Sequence, residues 1–277
     1  MASLQLKKFN MDMLSDDSVV VAIGKRRTGK SVLVKDILYH KKSIPIGNVI
    51  SATEQANSFF SYMIPSIFIH DDWDPSIVEN LLKRQKLVIR KMKRELSHKG
   101  STNIDPRAFL ILDDCLYDKT WSKAKCIRAC FMNGRHYKLL FIITMQYALG
   151  VPPHLRTNID FIFIFRETYI SNRKRLYDHY CGMFPNLDTF CQVMDQCTEN
   201  FECLVINNNA NSNKLTDQVF WYKAKLHKNS FKVGAPCFWK HHKQNFLHSD
   251  DEEEEDKEQF TKVTRKKHPI IHVKKSY

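Results

Sequence analysis

An α/β fold with a mainly parallel central sheet flanked by helices is the class this 277-residue sequence predicts, on three observations. Short β-branched runs alternate with segments of helical periodicity, the signature of βα units. Several of these runs are apolar throughout, as in strands covered on both faces, and do not alternate as in a sheet with one wet face. The first run leads directly into a short glycine-bounded stretch that opens a helical pattern.

Taken in order, Val19–Ile23 is the first strand and Lys30–His40 the helix behind it. Strands are expected next at 48–52 and 66–70. Residues 75–96 put Val78, Leu81, Leu82, Val88, Ile89, Met92 and Leu96 at helical spacing. The other face of that helix carries Lys83, Arg84, Lys86, Arg90, Lys91, Lys93 and Arg94, a row suited to tracking a phosphate backbone or to facing solvent. Further strands are predicted at 109–112, 139–144 and 161–165, and helices at 121–133, 172–181 and Leu187–Cys197. Residues 202–206 and 218–224 flank the polar stretch 207–217, which reads as a hairpin with a long tip bearing Lys214. Such a tip either projects into a nucleic-acid channel or is a plain solvent-exposed turn. Beyond about Lys228 the periodicity fails. Residues 250–256 are all acidic, and Lys262, Arg265, Lys266 and Lys267 follow, so one folded domain is expected over 1–228 and a charged, disordered tail over 229–277.

At 43% hydrophobic, a chain of this length supports a core that buries about three quarters of its unfolded surface. No apolar run approaches the roughly 20 residues of a membrane-spanning helix, and the first ten residues lack a signal-peptide block, so a soluble, intracellular protein is expected. Lysine and arginine total 43 against 30 acids, a net charge of +13 that points to a polyanionic partner. The segment 250–277 holds eight acids and seven bases, so the basic excess belongs to the rest of the chain. Eight cysteines without a Cys-x-x-Cys pair fit reduced thiols. Cys181, Cys191, Cys197 and Cys203, with Cys237 and His241, contain enough ligands for zinc, but their spacing matches no familiar zinc unit and free thiols are the preferred reading.

Chemistry concentrates at Gly24, Lys25, Arg26, Arg27, Thr28, Gly29, Lys30 and Ser31, which fit G-x-x-x-x-G-K-[ST] at every fixed position between a strand and a helix. Backbone N–H groups and a helix N-terminus there form an anion cradle for ATP, with Lys30 reaching the β- and γ-phosphates and Ser31 ligating Mg²⁺. The run 109–112 ends in Asp113 and Asp114. Asp113 is placed to hold the metal's water shell and Asp114 to polarise the attacking water. The strand 139–144 leads to Gln146, whose amide can bond the γ-phosphate or the lytic water.

The order of these motifs, with a helix ending in Asn133, Gly134 and Arg135 before the Gln146 strand and Pro152 to Asn158 after it, resembles the FtsK–HerA superfamily of DNA-pumping ATPases. Within it the chain looks most like the poxvirus-type genome-packaging ATPases of nucleocytoplasmic large DNA viruses, from about Val19 to about Ala224. The resemblance implies a RecA-like (ASCE) P-loop NTPase over 1–228 that hydrolyses ATP to drive double-stranded viral DNA into the capsid. It implies a homo-oligomeric ring, a capsid or portal partner, and a location in the virion or in a cytoplasmic viral factory. It further implies an arginine finger acting in trans, for which Arg135 matches the family's position and Arg156 is second choice. Many relatives use glutamate to activate water where this chain has Asp114, which keeps Glu54 as a candidate base. Lys25, Arg26 and Arg27 replace the small residues common inside such loops and are candidates for phosphate contact or for pairing with an acid of a neighbouring subunit. Two other functions fit a P-loop: a nucleoside or small-molecule kinase, and a DNA-binding module switched by nucleotide.

Overall fold

The computed structural model describes residues 4–114 and 121–245, and its strands pair into one nine-stranded sheet. The strands are β1 (Lys7–Lys8), β2 (Val19–Ile23), β3 (Gly47–Ser51), β4 (Ile69–His70), β5 (Ala108–Asp113), β6 (Leu139–Met145), β7 (Phe161–Ile164), β8 (Glu202–Asn207) and β9 (Val219–Lys223). Their order across the sheet is β1-β9-β8-β7-β2-β6-β5-β3-β4. β8 runs against both of its neighbours, and every other described pairing is parallel. Helices α1 (Lys30–His40), α2 (Glu54–Asn57), α3 (Pro75–Lys99), α4 (Lys125–Asn133), α5 (Pro153–Arg156), α6 (Ile170–Tyr180), α7 (Leu187–Cys197) and α8 (Leu215–Gln218) connect the strands. All of these belong to one unit, Met1–Ala235; a second, Pro236–Tyr277, contributes α9 (Pro236–Asn245) to the described residues.

The central strands form where the sequence is continuously apolar. Every residue of β2, β6 and β7 is buried, as expected of parallel strands with both faces covered. On one face, Val20 and Ala22 of β2 pack with Leu33, Val34, Ile37 and Leu38 of α1 and with Phe109, Ile111, Leu140 and Ile142. Phe9 enters the same core edge-on to Phe161, Phe163, Phe220 and Tyr222, with ring centroids 5.5–6.0 Å apart. That contact holds the chain ahead of β2 against the far strands, and β1 adds itself to β9 as a two-residue edge.

α3 starts at an Asp74 cap that accepts from the Ser76 amide at 2.8 Å, with proline in its first turn, and stops at Gly100 in a left-handed conformation. Only its first half is anchored, through Val78, Leu81, Leu82 and Gln85. Val88, Ile89 and Met92 are half-buried and Leu96 is exposed. Lys83, Lys86, Arg90, Lys91, Lys93 and Arg94 are all exposed, while Arg84 is half-buried and donates to Gln85.

Several elements differ from expectation for identifiable reasons. Within 66–70 only Ile69–His70 is a strand, because Pro65 leads Ser66–Phe68 into a 3-10 turn. The helix expected from 121 begins as a 3-10 turn at Trp121–Lys123 and becomes α4 only at Lys125. The hairpin forms as β8 and β9, in register from Glu202↔Lys223 to Ile206↔Val219, with α8 folded into its tip. Its tip, Lys214 included, emerges beside the start of β7, where Phe161 pairs with Asn207, at the sheet edge opposite the glycine-bounded loop. α9 lies in the stretch expected to lack structure. The acidic run and the basic stretch after residue 250 lie outside the described residues.

Candidate active site

Strand β2 delivers the chain to Gly24, whose amide donates to Met145 O at 3.0 Å and ties the loop to the end of β6. The Thr28 hydroxyl donates to Lys25 O at 2.8 Å and closes the loop on itself. Gly29 takes φ 110° and caps α1. Two glycines are required here by space as well as conformation. A Cβ on Gly24 would stand 2.6 Å from Phe165 Cβ and 2.7 Å from Thr28 Oγ1, and Gly29 occupies the left-handed region. The loop wraps the buried Lys30 ammonium, which donates to Gly24 O at 2.7 Å and Lys25 O at 3.1 Å. Ser31 is exposed on the first turn of α1.

Sheet register brings the acids to this loop. Ser51 of β3, Asp113 of β5, Thr144 of β6 and Ala22 of β2 stand in one row across four adjacent strands. Asp113 is therefore two strands, about 10 Å, from β2 just before the chain enters the loop. Its carboxylate accepts from Thr144 Oγ1 at 2.6 Å and from Ser51 Oγ at 3.2 Å. Asp114 follows in a left-handed conformation, φ 53°, with its amide donating to the same Thr144 hydroxyl at 3.1 Å. Gln146 Nε2 donates to Asp114 Oδ2 at 2.7 Å. Asp113, Asp114 and Gln146 thus gather on the C-terminal edge of the sheet with Lys30.

The electrostatics reflect charges held close together and largely buried. Burial lowers the Lys30 pKa, against the pull of Asp114 and Asp113 and with the help of Arg26. Burial raises that of Asp113, opposed by the Thr144 and Ser51 hydroxyls and by Lys30 and reinforced by Asp114. The residues fit Mg²⁺ and a triphosphate: the loop has no room for a Cβ at Gly24, and Ser31 and Asp113 supply the hard oxygen donors Mg²⁺ prefers.

The three basic residues in the loop separate. Arg26 and Arg27 are exposed, Arg27 at φ 62°. Lys25 finds its acid within the same chain. It pairs with Glu167 at 2.6 Å, donates to Thr168 Oγ1 at 3.2 Å and lies 3.9 Å over the Tyr169 ring. Glu54 is buried and accepts from the Phe60 and Ser61 amides at 2.9 Å, which makes it the cap of a turn and leaves it poorly placed as a base.

Arg135 stands before β6, at the opposite edge of the sheet from its own loop. It pairs with Asp160, whose other oxygen accepts from the Val19 amide at 2.7 Å, and donates to Asn209 at 3.0 Å. The seven residues of β6, a span of about 23 Å, separate Arg135 from the Gln146 end. Arg156 donates to Val151 O at 2.8 Å and lies over the Tyr180 ring. Among the cysteines, Cys181 and Cys203 are buried with their thiol pKa raised by burial, and Cys191 and Cys197 are half-buried. No group of three or more His, Cys, Asp or Glu side chains placed to hold a metal ion occurs among the described residues. Nor does any described helix have the length and apolarity to cross a membrane.

Sequence reasoning missed Ser51, Thr144 and Glu167. The first two are recognisable only once strand register is known, and Glu167 only once the end of β7 is placed beside the loop.

No family model matches the chain. It is 42% identical over 243 residues to the uncharacterized protein L437 of Acanthamoeba polyphaga mimivirus, covering 87% of this chain and 84% of that one. To the uncharacterized protein 075L of Invertebrate iridescent virus 6 it is 38% identical over 232 residues, covering 83% and 86%. Among solved structures, the genome packaging NTPase B204 of Sulfolobus turreted icosahedral virus 2 in complex with AMP shares the fold. The TM-score is 0.51 at 16% identity, over 77% of this chain and 100% of that one. With its loop, its acids and its strand order, the chain belongs to the family of large DNA virus proteins that these mimivirus and iridovirus sequences represent, and it has the α/β P-loop fold of the genome packaging NTPase B204.

Proposed function

We propose that this protein is the ATP-driven motor that moves double-stranded viral DNA into the capsid, hydrolysing ATP to ADP and phosphate. The observation that carries the reading is the row Ser51, Asp113, Thr144, which sets one carboxylate beside the Lys30 loop while Gln146 holds the next, Asp114, at the same edge. In this reading Lys30 exchanges its two loop carbonyls for β- and γ-phosphate oxygens, and the amides from Gly24 to Ser31 cradle the rest. Ser31 and Asp113 hold Mg²⁺, which when bound neutralises charge building on the phosphate oxygens. Asp114 takes the proton of the attacking water. Gln146, bonded to Asp114, orients that water and registers loss of the γ-phosphate.

Arg135 cannot reach its own subunit's loop across the sheet, which favours service to a neighbour in a homo-oligomeric ring. The exposed basic row of α3 and the charge of +13 favour a nucleic-acid backbone as the track. A capsid or portal component as docking partner, and action in the virion or viral factory, complete the proposal. The fold expected over 1–228 is the ATPase, with 229–277 as its charged extension.

The test is phosphate release by the full-length protein with Mg-ATP, with and without linear duplex DNA, across a salt series. Duplex DNA should stimulate release, the stimulation should fall steeply with salt and ignore sequence, and Lys30→Ala should abolish it. Transfer of the γ-phosphate to a nucleoside, or hydrolysis indifferent to DNA in a sized oligomer, overturns the motor.

A further inference from the structure

The turn between α7 and β8 holds two consecutive non-glycine residues in the left-handed region, Asn200 at φ 49° and Phe201 at φ 66°. It is firmly closed: the Thr198 hydroxyl donates to Met194 O at 2.6 Å, and the Glu202 amide to Glu199 O at 2.8 Å. Backbone conformations of this kind are uncommon for bulky residues and concentrate at functional sites. Here the result is a phenylalanine that is 67% exposed. Its position matters more than its exposure. A Cβ placed on Gly29 would stand 3.6 Å from Phe201 Cβ, so the ring rises beside the second glycine of the phosphate loop. Arg27, Thr28, Arg166, Thr198, Asn200 and Phe201 line one open cavity of about 370 Å³, within the range of small-ligand sites.

Strand order gives this cavity a direction. From β2, the acids and Gln146 lie toward β6 and β5. The cavity lies the other way, toward β7 and β8, whose ends meet at the register pair Ile164↔Leu204. A triphosphate on the loop with its γ end toward Asp113 and Asp114 sends its ribose and base in the opposite sense, toward Phe201. We infer that Phe201 is the stacking platform for the base of the bound nucleoside triphosphate, with the Arg166 and Arg27 cations flanking the ribose and α-phosphate. The inference rests on the nucleotide-binding reading of the loop and adds to it the place and chemistry of base recognition. An aromatic face stacks on the π-face of any base, so the platform recognises the nucleoside end of the ligand and adds to what the loop holds through the phosphates.

Calorimetric titration of the full-length protein with Mg-ATP and with inorganic tripolyphosphate tests it. Phe201→Ala should weaken ATP binding by about tenfold or more and leave tripolyphosphate binding unchanged, since only ATP has a base to stack. Phe201→Trp should keep ATP affinity, and its added indole emission should be quenched by ATP and not by tripolyphosphate. Parental ATP affinity in Phe201→Ala, or equal loss of both ligands, overturns the platform. Lys30→Ala separates this failure from the larger one: if that variant binds both ligands as the parent does, the phosphate-loop reading itself falls. If it binds neither while Phe201→Ala changes neither, only the platform falls.

Discussion

Thr144 is the side chain on which both acids depend, and Thr144→Val isolates that dependence. The residue is fully buried, its hydroxyl donates to Asp113 at 2.6 Å, and the same oxygen accepts from the Asp114 amide at 3.1 Å. Valine fills the same volume and removes both bonds. A hydrogen bond to an ionised group contributes about 1.5–3 kcal/mol, and the half-buried Asp114 amide left without its acceptor adds to that, so a loss of about 3 kcal/mol is expected. For a domain of this size that lowers Tm by roughly 6–12 °C. The effect on activity should be larger in proportion. A carboxylate released from its donor drifts from the metal position, and a misplacement of about 1 Å costs about a hundredfold in turnover. The assays are a thermal melt and steady-state phosphate release on parent, Thr144→Val and Thr144→Ser. Serine, which restores the hydroxyl without the methyl, should recover most of the activity. If Thr144→Val melts and turns over like the parent, or if serine is as damaging as valine, Thr144 acts through packing alone and the account of the acid pair is wrong.

Other expectations follow from the same geometry. Glu54→Gln should destabilise the fold by about 1–3 kcal/mol by turning a donor toward the Phe60 and Ser61 amides, while the folded fraction keeps its ATPase rate; a collapse in rate with an unchanged melt would make Glu54 the base after all. Arg135→Ala and Lys30→Ala proteins, each inactive alone, should regain hydrolysis when mixed, because one supplies the loop and the other the finger; no recovery in mixed oligomers refutes action in trans. Burial raises the Asp16 pKa, but Lys41 at 2.7 Å and Arg107 at 2.6 Å outweigh it and leave the carboxyl below its usual value. A depressed acid stabilises the fold above its unfolded pKa of about 4 and loses that contribution as pH falls through the folded value. Asp16→Asn should therefore lower the melting temperature more at neutral pH than in acid, where the parent carboxyl itself becomes protonated; an equal loss at both excludes the ion pairs as the cause.

Legibility followed the range of the interactions. β2, α1 and α7 have the bounds read from the chain, since a buried apolar strand, a loop motif and an amphipathic turn are local properties. The same holds for Lys30, identified by the loop motif that opens α1, and for Asp113, Asp114 and Gln146, each identified by the strand that it ends or directly follows. What escaped depends on partners far along the chain. β1 is two lysines with no strand pattern of their own, added to β9 because Phe9 is anchored in a nest of four rings. Ser51 and Thr144 look like ordinary strand residues until register sets them on either side of Asp113. Glu54 resembled a base because it follows a strand at the correct edge, and only the short chain segment folding back over it shows two amides already in possession of its oxygens.

The Lys25 clamp has a thermodynamic consequence. An anion-binding loop with freedom to move must be frozen at the moment its guest arrives, and the lost chain entropy is subtracted from affinity. Here Lys25, at the entrance to the loop, is already held by the carboxylate of Glu167 and the face of Tyr169. The guest has that much less of the loop to order, so a larger share of its contact energy remains for discriminating one anion from another.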